Sequence, residues 1–93
     1  MSFNRQILSL YLLVVADMDE KEVARLVGNH LWLDLKEAEE ALIQGQEVSL
    51  EIAGNTPGQQ LRNITAALWI LEKIRQQRCD LHTAIKQYRD HIR

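Results

Sequence analysis

Three helix starts are written into this chain with one shared spacing, and they constrain its fold more than any other feature. Asp19 stands three residues before Glu22, Asp34 three before Glu37, and Thr56-Pro57-Gly58-Gln59 repeats the arrangement. Each places a short side-chain oxygen where a first-turn N–H lacks a partner, with Glu or Gln three residues on. Between the second and third lies Val48-Ser49-Leu50-Glu51-Ile52, which alternates apolar and polar with the period of a half-buried strand.

From these starts the helices follow. Asp19 caps a helix reaching about His30, with Val23, Leu26, Val27 and Leu31 on one face and Gly28-Asn29 as its stop. Asp34 caps a second, with the stripe Leu35, Ala38 and Leu42 and a stop at Gly45. Thr56 caps a third, with Pro57 in the first helical position, where a missing N–H costs nothing. Leu61, Ile64, Leu68 and Leu71 form its stripe, widened by Ala67, Ile70 and Ile74, so this helix is expected to be central. Asp80 caps a last helix carrying Leu81, Ile85, Tyr88 and Ile92 at i, i+4, i+7 and i+11.

Residues 7–16, ILSLYLLVVA, are apolar except for Ser9 and the Tyr11 hydroxyl. Residues 7–15 suit a strand buried on both faces, although the leucines also permit a helix. The run is about half the ~20 residues a membrane-spanning helix needs. Only Arg5 precedes it, and Asp17, Asp19 and Glu20 follow where a signal peptide has small residues. A core element in a cytoplasmic protein is therefore expected.

Ninety-three residues with 46% hydrophobic content suit one domain, residues 1–93, in which residues 78–93 form a C-terminal amphipathic helix able to serve as an interaction arm. The single cysteine excludes an internal disulfide. The expected class is α+β, a β-α-α-β-α-α domain with helices packed on a short, incomplete sheet. Two strands alone are marginal in water, so the open edge at residues 48–52 is expected to add a partner's strand or pair in a homodimer.

At residues 31–45, LWLDLKEAEEALIQG, the chain resembles the C-terminal domain of the bacterial ribosomal stalk protein, whose helix carries Leu-Lys-Glu-Ala as Leu35-Lys36-Glu37-Ala38 does here. That fold is shared with the Clp protease adaptor that recognises N-terminal degradation signals. The resemblance implies a β-α-α-β-α order over residues 7–74. Lys36 is the one position that maps onto the stalk domain's basic helix. Glu39 replaces the next lysine, so translation-factor binding is not implied.

Charge is uneven. Residues 17–51 hold ten Asp/Glu against three Lys/Arg, whereas residues 72–93 hold six Lys/Arg against three Asp/Glu, which suits either two solvated faces or electrostatic pairing. Lys73, Arg75, Arg78, Lys86, Arg89 and Arg93 make nucleic-acid contact the alternative function, diluted by Glu72, Asp80 and Asp90.

Catalytic constellations are weak. Cys79 and His82 share a helical spacing, but neither a four-ligand zinc pattern with His30 and His91 nor a positioned base is evident. The glycines before Thr56 lack the lysine of a phosphate loop. The acids lie at caps and exposed faces, not as a pair in a pocket. No catalysis, metal or cofactor is expected. The expected function is protein–protein binding, as an adaptor, chaperone-like protein or regulatory subunit. The contact residues are Val48, Leu50 and Ile52 at the sheet edge, or Leu81, Ile85, Tyr88 and Ile92 on the last helix. Trp32 and Trp69 are core residues or interface anchors.

Overall fold

The computed structural model of the chain describes residues 18–92. Four helices follow one another: α1 (Glu20–Asn29), α2 (Trp32–Ile43), α3 (Pro57–Gln77) and α4 (Leu81–His91). No strand occurs among the described residues. The expected α+β class is thus corrected to an all-helical arrangement, and with it the incomplete sheet and its open edge. The expected strand at 7–15 lies outside the described residues.

α3 is the centre, packed against α1, α2 and α4. Its run Ile64, Ala66, Ala67, Leu68 and Ile70 is buried, and the two alanines let neighbouring helices approach its backbone closely. Val23 and Leu26 of α1, Leu35 and Ala38 of α2, and Ala84 and Tyr88 of α4 join it in one core cluster. Each fully buried Leu, Ile or Val contributes about 1.5–3 kcal/mol over its exposed state, so five such side chains dominate the folding balance. No helix among the described residues is long and apolar enough to cross a membrane.

Three caps stand where the sequence places them. Asp19 accepts from the Lys21 and Glu22 N–H groups, Thr56 from Gln59 at 3.2 Å, and Asp80 from Thr83 at 2.7 Å. Asp34 is a correction. α2 begins at Trp32, so Asp34 sits within its first turn and Leu31 takes the cap position without a side-chain hydrogen bond. Only His30 and Leu31 separate α1 from α2, and the chain re-enters helix at once. That early start carries Leu31 out of the α1 stripe, leaving it 74% exposed.

Gly45 does end α2. With φ +70, it lets its own N–H reach the Leu42 carbonyl at 3.2 Å and Gln46 N–H reach Ala41 at 2.8 Å. This is the paired Schellman closure, which a side chain at that φ disfavours.

Residues 44–56 then cross from α2 to α3 as an irregular strap. Burial still alternates along its middle. Val48 and Leu50 are half-buried and Ile52 is buried, while Ser49 and Glu51 are exposed. The alternation therefore reports a segment lying on a core without reporting sheet pairing.

Candidate functional site

Side chains take the place of a neighbouring strand in holding the strap. Glu22, in the first turn of α1, is 6% exposed, and its Oε2 accepts the Ala53 N–H at 2.6 Å. Arg25, one turn on, forks onto the same carboxylate through Nε at 2.7 Å and Nη2 at 2.8 Å. Its Nη2 also donates to the Glu51 carbonyl at 2.6 Å. On the other side, Asn63 Nδ2 of α3 donates to the Ala53 carbonyl at 3.1 Å, and its Oδ1 accepts from Asp19 N–H at 3.0 Å. Both main-chain groups of Ala53 are therefore satisfied by buried side chains from two different helices.

The electrostatics follow from this geometry. The Arg25 guanidinium, followed by the Ala53 N–H, holds the Glu22 carboxyl below its ordinary value against the opposing effect of burial. The same contact raises Arg25. Beside this clasp lies a polar cleft of about 220 Å³ lined by Asp19, Ala53, Gly54, Gln59, Arg62 and Asn63.

Ile52 itself lines an apolar groove of about 300 Å³. Val48, Leu50 and Ile52 of the strap, Leu42 of α2 and Pro57 at the start of α3 supply its apolar lining. Gly45, Gln46 and Gln60 complete it. The clasp sets the groove's shape, because Glu51 and Ala53, which it grips, flank Ile52. Ile43, the residue after Leu42, is 65% exposed and does not line the groove.

The structure brings Val48, Leu50 and Ile52 together at this groove. It places Leu81, Ile85, Tyr88 and Ile92 elsewhere, on the face of α4 turned toward the core. Tyr88 is 3% exposed and the other three are half-buried against the same cluster. The Tyr88 ring lies 5.3 Å from Trp69, which also stacks on His91 at 5.0 Å and carries Lys73 Nζ 5.1 Å from its ring centroid. Trp32 is half-buried against the core.

Charge asymmetry is partly used within the molecule, since Arg89 of α4 pairs with Glu20 of α1. Arg75, Arg78 and Lys86 are exposed. The Cys79 thiol faces the Lys73 carbonyl at 3.8 Å, and His82 is exposed. Among the described residues no group of three His, Cys, Asp or Glu side chains is placed to hold a metal ion.

Sequence reasoning missed Asn63 and the inward role of Glu22. A signal existed for each: Asn63 interrupts the apolar run of α3, and Arg25 follows Glu22 at helical spacing. Their shared target, Ala53, has no local signature.

No curated protein and no solved structure matches the chain. The likeness of residues 31–45 to the ribosomal stalk domain accordingly rests on those residues alone. A family model does match, over residues 18–93, and its description is a family of unknown function (DUF6952). By that match, which takes in all four helices, the strap and the groove, the chain belongs to the DUF6952 family.

Proposed function

We propose that this chain is a small non-catalytic protein–protein interaction module, an adaptor or regulatory subunit of the cytoplasm. In this reading it seats apolar side chains of a partner protein in the groove between the strap and α2. One observation carries the reading: Val48, Leu50 and Ile52 converge with Leu42 and Pro57 on an apolar space of about 300 Å³. That volume lies at the small end of ligand pockets and suits anchor side chains better than a large cofactor.

Support comes from the strap's construction. Its main chain is fixed by Glu22, Arg25 and Asn63, so the groove wall is formed before a partner arrives. A preformed wall lowers the ordering cost of association. Sheet-edge addition and dimerisation through a completed sheet have no counterpart among the described residues. The last helix directs its apolar stripe into its own core.

Site-specific photocrosslinking in the native host tests this. A crosslinker replacing exposed Gln46, which lines the groove, is expected to capture a protein partner, and Leu50→Asp in the same chain is expected to abolish capture. A crosslinker replacing Arg75, about 22 Å farther along α3 than Gln60, serves as the comparison. Capture from Arg75 alone, or capture from Gln46 unaffected by Leu50→Asp, would overturn the proposal.

A further inference from the structure

The strap is fastened near its ends and hardly at all in its middle. Gly45 at φ +70 and Gly54 at φ +149 stand on either side of residues 46–53, both in the region that glycine enters most readily. Before Gly45 lies α2, whose closure takes up the Gln46 N–H. After Gly54, the Asn55 N–H donates to Gln59 Oε1 at 2.9 Å, which ties the chain to the first turn of α3. Between these fastenings the strap's main chain meets the helices at Glu51 and Ala53 alone, through Arg25, Glu22 and Asn63. Among the described residues no hydrogen bond involves residues 47–50. Ile52 is the buried side chain of residues 46–53, with Val48 and Leu50 half-buried. α3 by contrast buries Ile64, Ala66, Ala67, Leu68 and Ile70. Releasing the strap therefore gives up the clasp and little apolar burial, while the helical core keeps its own contacts.

From this arrangement we infer that the strap is a gate: residues 46–53 swing as one unit about Gly45 and Gly54 while the four helices stay folded, with Glu22, Arg25 and Asn63 as the latch. The latch is divided between α1 and α3 and closes on Glu51 and Ala53, the two neighbours of Ile52. Seating Ile52 and forming the latch are therefore one event. The groove exists only in the closed state, because Gln46, Val48, Leu50 and Ile52 all line it and all ride on the strap. A two-state element answers to whatever binds one of its states, so a partner seated in the groove holds the gate shut. The opening is a property of the chain alone, and its bearing on a partner rests on the groove reading above.

Native-state hydrogen exchange of the full chain, followed by NMR below the urea unfolding transition, tests the gate. The Ala53 N–H, whose acceptor is Glu22 Oε2, reports the strap, and the Ala67 and Leu68 N–H groups report the middle of α3. Ala53 is expected to be protected about 100-fold less than the α3 pair. Two conservative variants separate strap opening from its alternatives. Ile52→Val, which loosens the strap, should speed Ala53 exchange about 5-fold. Ile70→Val, which weakens α3 and leaves the strap intact, should speed Ala67 and Leu68 about 5-fold and leave Ala53 unchanged. Equal speeding of all three by Ile70→Val would mean that the strap opens only with the whole fold. An Ala53 rate indifferent to Ile52→Val would mean that a lone hydrogen bond frays. Either result would overturn the gate. The protein partner captured from position 46, added at about 100 times its Kd, should slow Ala53 exchange about 100-fold. An Ala53 rate unchanged by the bound partner, with both variants behaving as expected, would overturn the groove reading and leave the gate standing.

Discussion

The Glu22 carboxylate accepts the Ala53 N–H at 2.6 Å, across 31 residues of sequence, and this contact ties the first turn of α1 to the strap. Replacing Glu22 by Ala leaves that N–H without its acceptor and Arg25 without its partner. A loss of about 1 kcal/mol is expected for the hydrogen bond, since Ala53 is exposed and water can reach the freed N–H. Glu22→Gln keeps an acceptor oxygen for Ala53 and should cost less. Urea denaturation followed by circular dichroism ranks the two, and equal losses would show that the charge, not the hydrogen bond to the strap, carries the stabilisation.

The same carboxylate gives a pH dependence with a definite sign. Its pKa is lowered in the fold from an ordinary value of 4.5, so its contribution is fully present above that value. The contribution is lost as pH falls through the lower folded value, where the carboxyl takes up a proton. Asp80, lowered by its hydrogen bonds with Thr83, acts in the same direction. The stability difference between the native chain and Glu22→Gln should therefore be constant from pH 7 to 5 and shrink below 4.5. Urea titrations at pH 7 and pH 3 measure it, and a difference that grows toward acid would contradict the assignment.

Two helix ends offer opposite substitutions. Arg78 follows α3 in the left-handed region at φ 51, a conformation that glycine adopts without a Cβ penalty. Arg78→Gly should raise stability by up to about 1 kcal/mol, or several degrees in Tm for a domain of this size. Gly45→Ala, at φ +70 with no neighbouring atom in its way, should lower stability by about 1–2 kcal/mol through backbone strain alone. Thermal melts of both variants check the pair.

Tyr88 anchors α4 to α3 through Trp69, with their rings 5.3 Å apart. Tyr88→Ala should cost about 3–5 kcal/mol and expose Trp69, shifting its fluorescence to the red. Tyr88→Phe, which retains the ring, should leave the spectrum near native. An unchanged spectrum in Tyr88→Ala would mean that α4 does not depend on this contact.

Much of the architecture could be read from local chemistry. Asp19, Thr56 and Asp80 each satisfy a backbone group two or three residues away, and that distance lies within reach of a sequence pattern. Gly45 ended α2 for the same local reason. Asp34 misled because the same residue type also suits the first turn, where the helix dipole favours an acid, and nothing local fixed the start at Trp32. The alternation at 48–52 gave the correct inward residues and the wrong secondary structure. Burial depends on a residue's own apolarity, whereas a strand needs a neighbour's main chain, and here Glu22, Arg25 and Asn63 supply the partners instead. The groove likewise arises where residue 42, residues 48–52 and residue 57 meet, a meeting that depends on the tertiary clasp.

The most direct measurement is a ¹⁵N-resolved NMR titration of the full chain with the protein partner captured from position 46. Saturable shift changes concentrated at Leu42, Gln46, Val48, Leu50, Ile52 and Gln60, with the outer face of α4 unmoved, are the predicted result. Changes confined to Arg75, Arg78 and Lys86, or no saturable change anywhere, would contradict the account.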